Sequence, residues 1–182
     1  GLEDGTSWEN ATSNLQLAIN RAAAYDSNPQ VWVKAGTYTS TAESNNFLTM
    51  AEGVEVYGGF AGTETSLEQR DIYANKTILD GGNSKRVIYQ NNDFTSETIT
   101  IFDGFVIQNG NINENGAGVY MRDYSMLRNC IVRNNTGNRG SAIYTYGYAN
   151  IINCLIVDNT STYNSTSASS VFLLDSTLFV NN

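Results

Sequence analysis

The chain of 182 residues contains no histidine. That absence removes the usual general base, the commonest metal ligand, and the Ser-His and Cys-His nucleophile pairs. Positive charge is scarce too: Lys plus Arg total 10 against 18 Asp plus Glu, a formal net charge of -8. Without a long basic run, the composition argues against a phosphate-tracking nucleic-acid binder. No stretch approaches the roughly 20 apolar residues that a membrane helix needs, so no transmembrane segment is expected. Proline occurs once, at Pro29, and cysteine twice, at Cys130 and Cys154. Their 24-residue separation resembles no zinc motif, and neither a metal nor a cofactor is expected. Gly1 does not begin a signal peptide and the chain opens in mid-motif, so export must be inferred rather than read. Asn, Thr, Ser, Gly and Tyr are abundant and charged residues make up only 15%, a composition common in exported β-rich proteins.

The informative positive feature is a recurring unit. Asp103-Gly104-Phe105-Val106-Ile107-Gln108-Asn109-Gly110 is followed by Arg128-Asn129-Cys130-Ile131-Val132-Arg133-Asn134-Asn135. Then come Ile152-Asn153-Cys154-Leu155-Ile156-Val157-Asp158-Asn159 and Asp175-Ser176-Thr177-Leu178-Phe179-Val180-Asn181-Asn182. The second residues stand at 104, 129, 153 and 176, giving steps of 25, 24 and 23. A period in this range signals a solenoid, in which each unit buries its apolar edge by stacking on the next. Cys130 and Cys154 are equivalent residues in consecutive units. A disulfide is one reading, because stacked strands lie roughly 4.8 Å apart. In-register parallel neighbours point the same way, which favours two buried free thiols.

Residues 12–25 read as a helix, with Leu15, Ile19, Ala22 and Ala23 as its apolar stripe and Thr12, Ser13 or Asn14 as its cap. A stacked solenoid needs its first open edge covered, and this helix is the candidate cover. Strands are expected at 31–33, 54–57, 77–79, 87–90 and 98–102, with 61–75 as a loop leaving the solenoid. Leucine-rich repeats share this period, and Leu127, Cys130, Val132 and Asn135 satisfy their pattern with conservative changes. The return segments decide. Gly116-Ala-Gly-Val-Tyr120 and Gly140-Ser-Ala-Ile-Tyr144 are small and β-branched residues followed by Tyr, which suits short strands rather than helix. The expected fold is all-β: a right-handed, single-stranded parallel β-helix with an N-terminal capping α-helix. One domain spans 1–182, with a cap over 1–30 and coils over 31–182. The asparagines closing the repeated strands at 134–135, 158–159 and 181–182 are read as turn residues, since Asn tolerates the left-handed conformation and its amide bonds to the next coil. Because Asn182 directly follows a repeat strand, a longer solenoid, or another molecule over the last coil, is expected.

These residues resemble a known group. Gly116-Ala117-Gly118-Val119 and Gly140-Ser141-Ala142-Ile143 are similar to the Gly-Gly-Ala-Ile tetrapeptide of chlamydial-type polymorphic outer membrane proteins. Phe179-Val180-Asn181-Asn182 matches their Phe-x-x-Asn partner, with Val132–Asn135 and Ile156–Asn159 as aliphatic variants. The run from Gly53 to Glu64, with Arg70-Asp71, Ile78–Gly81 and the opening Asp4–Trp8, looks like exported β-helix proteins of the Bacteroidetes type. The resemblance implies a pectin-lyase-like fold and a bacterial extracellular or cell-surface location. The group includes adhesins, autotransporter passengers and, on the same fold, polysaccharide lyases and hydrolases.

An enzyme of this shape would need clustered carboxylates, with calcium and a basic residue or as an acid–base pair. The only adjoining pair in the repeat column is Asp103 with Arg128, read as an exposed ion pair contributing about 0 to 1 kcal/mol. Arg122 with Asp123 is a second exposed pair. A catalytic group is therefore not expected, and Asp103 and Arg128 stand as the alternative. Alternation along the strands points Phe105, Cys130, Cys154 and Thr177 inwards, with Ile107, Val132, Ile156 and Phe179. It turns Val106, Ile131, Leu155 and Leu178 outwards. That apolar column is either a protein-contact strip or the seat of a covering loop, 61–75 or 160–168. Tyr124 and Tyr148 align 24 apart, as do Tyr120 and Tyr144, with Tyr146 beside them. Tyr124, Tyr146 and Tyr148 are candidates for contact with a polysaccharide or a cell-surface glycan. The expected role is adhesion or carbohydrate binding, with a polysaccharide-cleaving enzyme or a structural stalk as the alternatives.

Overall fold

Short runs of alternating apolar and polar residues, broken by Gly and Asn, fold into strands that each add one rung to a neighbour. A computed structural model describes residues 4–25, 29–40, 43–94 and 98–182. The first coil carries β1 (Gln30–Lys34), β2 (Gly36–Tyr38) and β3 (Asn46–Thr49). The second carries β4 (Glu55–Phe60), β5 (Thr77–Asp80) and β6 (Arg86–Tyr89), and the third β7 (Thr100–Asp103), β8 (Phe105–Gln108) and β9 (Val119–Met121). The fourth holds β10 (Ser125–Arg128), β11 (Ile131–Arg133), the short β12 (Thr136–Gly137) and β13 (Ile143–Thr145). The fifth holds β14 (Ala149–Ile152), β15 (Leu155–Val157), β16 (Thr160–Ser161) and β17 (Val171–Leu173), and β18 (Leu178–Val180) adds a last rung.

Stacking these coils makes three long parallel sheets and a two-stranded one, β12-β16. The first runs β1-β4-β7-β10-β14-β18, the second β2-β5-β8-β11-β15 and the third β3-β6-β9-β13-β17. The fold is thus a parallel β-helix, with its core inside the coils. Phe102, Leu127 and Ile151 fill it from the first sheet, Ile107 and Val132 from the second, and Val119, Met121 and Ile143 from the third. Cys130 and Cys154 are buried there as free thiols.

The corners need left-handed backbone. After the first sheet the residue is Gly104 (φ 83°), Asn129 (53°), Asn153 (54°) and Asn181 (53°). After the second it is Asn109 (55°), Asn134 (54°) and Asp158 (54°). The asparagine beyond this second corner turns inwards. Buried Asn135 accepts the Gly110 N–H at 2.7 Å and donates to the Ile107 and Arg133 carbonyls and to Asn159 Oδ1. Amide bonds of this kind tie one coil to the next.

The capping helix α1 (Leu15–Ala22) is shorter than the expected 12–25. Asn14 caps it by accepting the Leu17 N–H at 3.0 Å, and Leu15 and Ile19 are its buried residues. It packs on β1 and β3 of the first coil.

One expected register is corrected. Leu178, Phe179 and Val180 pair with Asn150, Ile151 and Ile152 in the first sheet. They therefore do not continue the column of Leu155, and Thr177 and Phe179 are not inward residues of the second sheet. The cause is a longer return in the fifth coil: Ile143 and its partner Val171 are 28 residues apart, whereas Val119 and Ile143 are 24 apart.

Candidate functional site

The corner between the third and first sheets presents the most exposed aromatic pair of the repeats. Gly147 adopts φ 86°, and a Cβ there would meet the Asp123 carboxylate, so only glycine lets the turn close this tightly. Asp123 Oδ1 accepts the Tyr148 N–H at 2.8 Å, and the Tyr124 N–H donates to the Tyr148 carbonyl at 2.8 Å. Asp123 is thus a turn-holding residue rather than half of an exposed pair with Arg122. Arg122 instead pairs with Asp93 at 2.7 Å and lies 5.0 Å from the Tyr146 ring centre. Tyr148 stacks on Tyr124 with ring centres 6.3 Å apart. Tyr146 is 43% exposed and Tyr148 62% exposed. Each ring has one such neighbour, a guanidinium for Tyr146 and the Tyr124 ring for Tyr148, and both residues stay exposed. Tyr124 is half-buried; it packs against the core and supports Tyr148.

A second aromatic column, on the outside of the third sheet, differs in kind. Tyr89, Tyr120, Tyr144 and Phe172 follow one another with ring centres 5.5, 5.1 and 5.4 Å apart, the last two pairs stacked. Arg86 closes its lower end, 4.7 Å from Tyr89, and Arg139 its upper end, 5.6 Å from Phe172. The faces are used up by neighbours, leaving edges for solvent. Only Tyr120 and Tyr144 show up at the repeat spacing. Tyr89 and Phe172 lie 31 and 28 residues from their neighbours, outside the 24-residue step.

Asp103 and Arg128 do meet, but the carboxylate is not exposed. Asp103 is buried and shared by three donors: Arg128 Nε at 2.5 Å, Arg70 Nη2 at 2.9 Å and Asn129 Nδ2 at 2.9 Å. Arg70 arrives from the 61–75 segment and also donates to the Gly58 and Asp103 carbonyls. The group reads as a latch that fastens this segment to the first sheet, and sequence spacing gives no hint of Arg70. Next to it, Tyr57 donates to Glu55 at 2.9 Å. Burial, reinforced by that bond, pushes the Tyr57 hydroxyl up to about 12. Among the described residues no three Cys, Asp or Glu stand together as a metal cluster.

The outer column of the second sheet forms in part. Val106, Ile131 and Leu155 are register partners, and they floor a groove of about 420 Å³. Ile72 and Tyr73 of the 61–75 segment line the same groove. The gradient is steep: Val106 is 6% exposed and Leu155 58%. Leu178, although exposed, sits on the first sheet, away from this column. Missed by pattern reading is an aromatic cluster beside the cap, where Trp32 stacks on Phe60 at 4.8 Å and Trp8 lies 5.5 Å from Phe60. No apolar period marks it, since its members come from a short 3-10 helix (Trp8–Asn10) and two strands.

No helix among the described residues is long and apolar enough to cross a membrane. Comparison with family models, curated proteins and solved structures yields no match to this chain.

Proposed function

We propose that this β-helix is a non-catalytic contact module of an exported bacterial surface protein, and that it binds a glycan at the Tyr146–Tyr148 corner. The observation that carries the reading is the pair of open tyrosine faces, held two residues apart by a glycine turn and backed by Arg122 and Tyr124. A sugar ring offers an apolar C–H face to such rings and hydroxyls to their polar ends. Pre-set rings lose little freedom on binding, which favours affinity. An extracellular or cell-surface location follows from the composition and the repeat resemblance, and a polysaccharide or cell-surface glycan is the partner.

A glycan array probed with the protein, with Tyr146→Ala and with Tyr148→Ala tests this. Binding to a subset of glycans, lost in both variants and kept in Tyr89→Phe, is the expected result. Binding to no glycan would sink the reading and leave the structural stalk. Hydrolysis or lyase activity has weaker support, because Asp103 is occupied by three donors. Depolymerisation of an acidic polysaccharide with calcium, lost in Asp103→Asn, would reinstate it. Protein contact at the second-sheet groove is a second reading, supported by the exposure of Leu155 at its open end.

A further inference from the structure

Cys130 and Cys154 are the same residue one coil apart. Arg128 pairs with Ile152 before them and Ile131 with Leu155 after them, so the two cysteines are in register. Their side chains also take equivalent positions. Cys130 Sγ lies 3.2 Å from the Arg128 carbonyl oxygen and 3.9 Å from that of Phe102. Cys154 Sγ lies 3.5 Å from the Ile152 oxygen and 3.8 Å from the Leu127 oxygen. Arg128 and Ile152 are partners, as are Phe102 and Leu127. One thiol is thus the other displaced by one rung, which sets the sulfurs about 4.8 Å apart. A disulfide needs about 2.05 Å, so the two cannot join without moving the coils. The gap is close to twice a metal–thiolate bond of about 2.3 Å.

We propose that Cys130 and Cys154 form a two-thiolate site for one monovalent soft ion, copper(I) or silver(I), held between adjacent coils. Thiolates select such ions, which are satisfied by two ligands in line. Zinc is disfavoured because it requires four ligands, and this chain offers neither a histidine nor a third cysteine. Both cysteines are among the residues that line the second-sheet groove, with their thiols on the core side of the sheet. Two S–H bonds break, two S–metal bonds form, and both protons leave to solvent. No electron changes hands, and the product carries one negative charge. Uptake weakens as pH falls, because the ion must displace the two thiol protons.

The test is an anaerobic titration of the reduced protein against the copper(I)–bicinchoninate complex, with X-ray absorption of the loaded protein. Expected are one copper per chain, two sulfur neighbours and no other ligand, and at least a tenfold loss of retention in Cys154→Ser. A folded protein that takes no copper overturns the site, as does unchanged uptake in Cys154→Ser. If the variant fails to fold, the absorption spectrum of the unmodified protein decides alone: two sulfurs support the site, and nitrogen or oxygen neighbours overturn it.

Discussion

Replacing Asn135 by alanine should remove a large part of the stability of the central coils. The side chain is buried, and its loss leaves the Gly110 N–H without the acceptor it meets at 2.7 Å. An orphaned buried donor costs about 1–3 kcal/mol. The Ile107 and Arg133 carbonyls and Asn159 Oδ1 lose a donor as well, each bond contributing a net of about 0.5–1.5 kcal/mol. The carbonyls keep a second lone pair for other partners, so the lower end applies to them. The sum is about 3–5 kcal/mol, against a total stability of about 5–15 kcal/mol for a typical domain. Urea unfolding followed by circular dichroism should show a lower midpoint with little change in slope. Asn138→Ala is the control. That amide is partly exposed, donates over 3.4 Å to the Asn113 carbonyl and accepts from the Thr162 hydroxyl at 3.1 Å; water can replace both bonds, so its loss should cost less than about 1 kcal/mol. A cost below about 1 kcal/mol for Asn135→Ala would refute the claim that inward amides tie the coils together.

Two further substitutions probe the latch and its neighbour. Asp103→Asn leaves Arg70 and Arg128 facing an amide, and should cost about 2–3 kcal/mol, below the usual cost of breaking a buried pair because Arg128 is partly exposed. It should also speed limited proteolysis within 61–75, and an unchanged cleavage rate there would contradict the latch. Tyr57, raised to about 12 against about 10 in an unfolded chain, contributes stability that is complete below pH 10 and lost as pH climbs towards 12. Tyr57→Phe should flatten that alkaline decline in melting temperature, and an identical decline in both proteins would remove Tyr57 from the account.

The repeat made the β-helix legible because stacking demands the same residue at the same place in each coil. Cys130 with Cys154, Tyr120 with Tyr144, and Ile131 with Leu155 are all register partners or their direct neighbours. The helix was legible from its stripe, though its ends were not, since Asn14 alone supplies the cap. Leu178 went astray for a physical reason. Both corners, after the first and after the second sheet, require a left-handed residue, so Asn181 at the first looks like Asn134 or Asp158 at the second. Local chemistry is identical at the two corners, and only the longer fifth-coil return tells them apart. Arg70 was invisible because it lies outside the repeat, 33 residues from its partner Asp103. The Tyr146–Tyr148 corner was half legible. The spacing flagged the rings, but their backing by Arg122 and Tyr124 needed the turn at Gly147.

The choice among the outer surfaces rests on which aromatic faces are open, and backbone NMR tests it directly. Amide shifts should be recorded as the tightest-binding glycan from the array is added. The account predicts changes centred on Arg122–Tyr124 and Tyr146–Tyr148, with Tyr89, Tyr120 and Tyr144 unmoved. Changes centred instead on Val106, Ile131 and Leu155, or on the stacked third-sheet column, would contradict it.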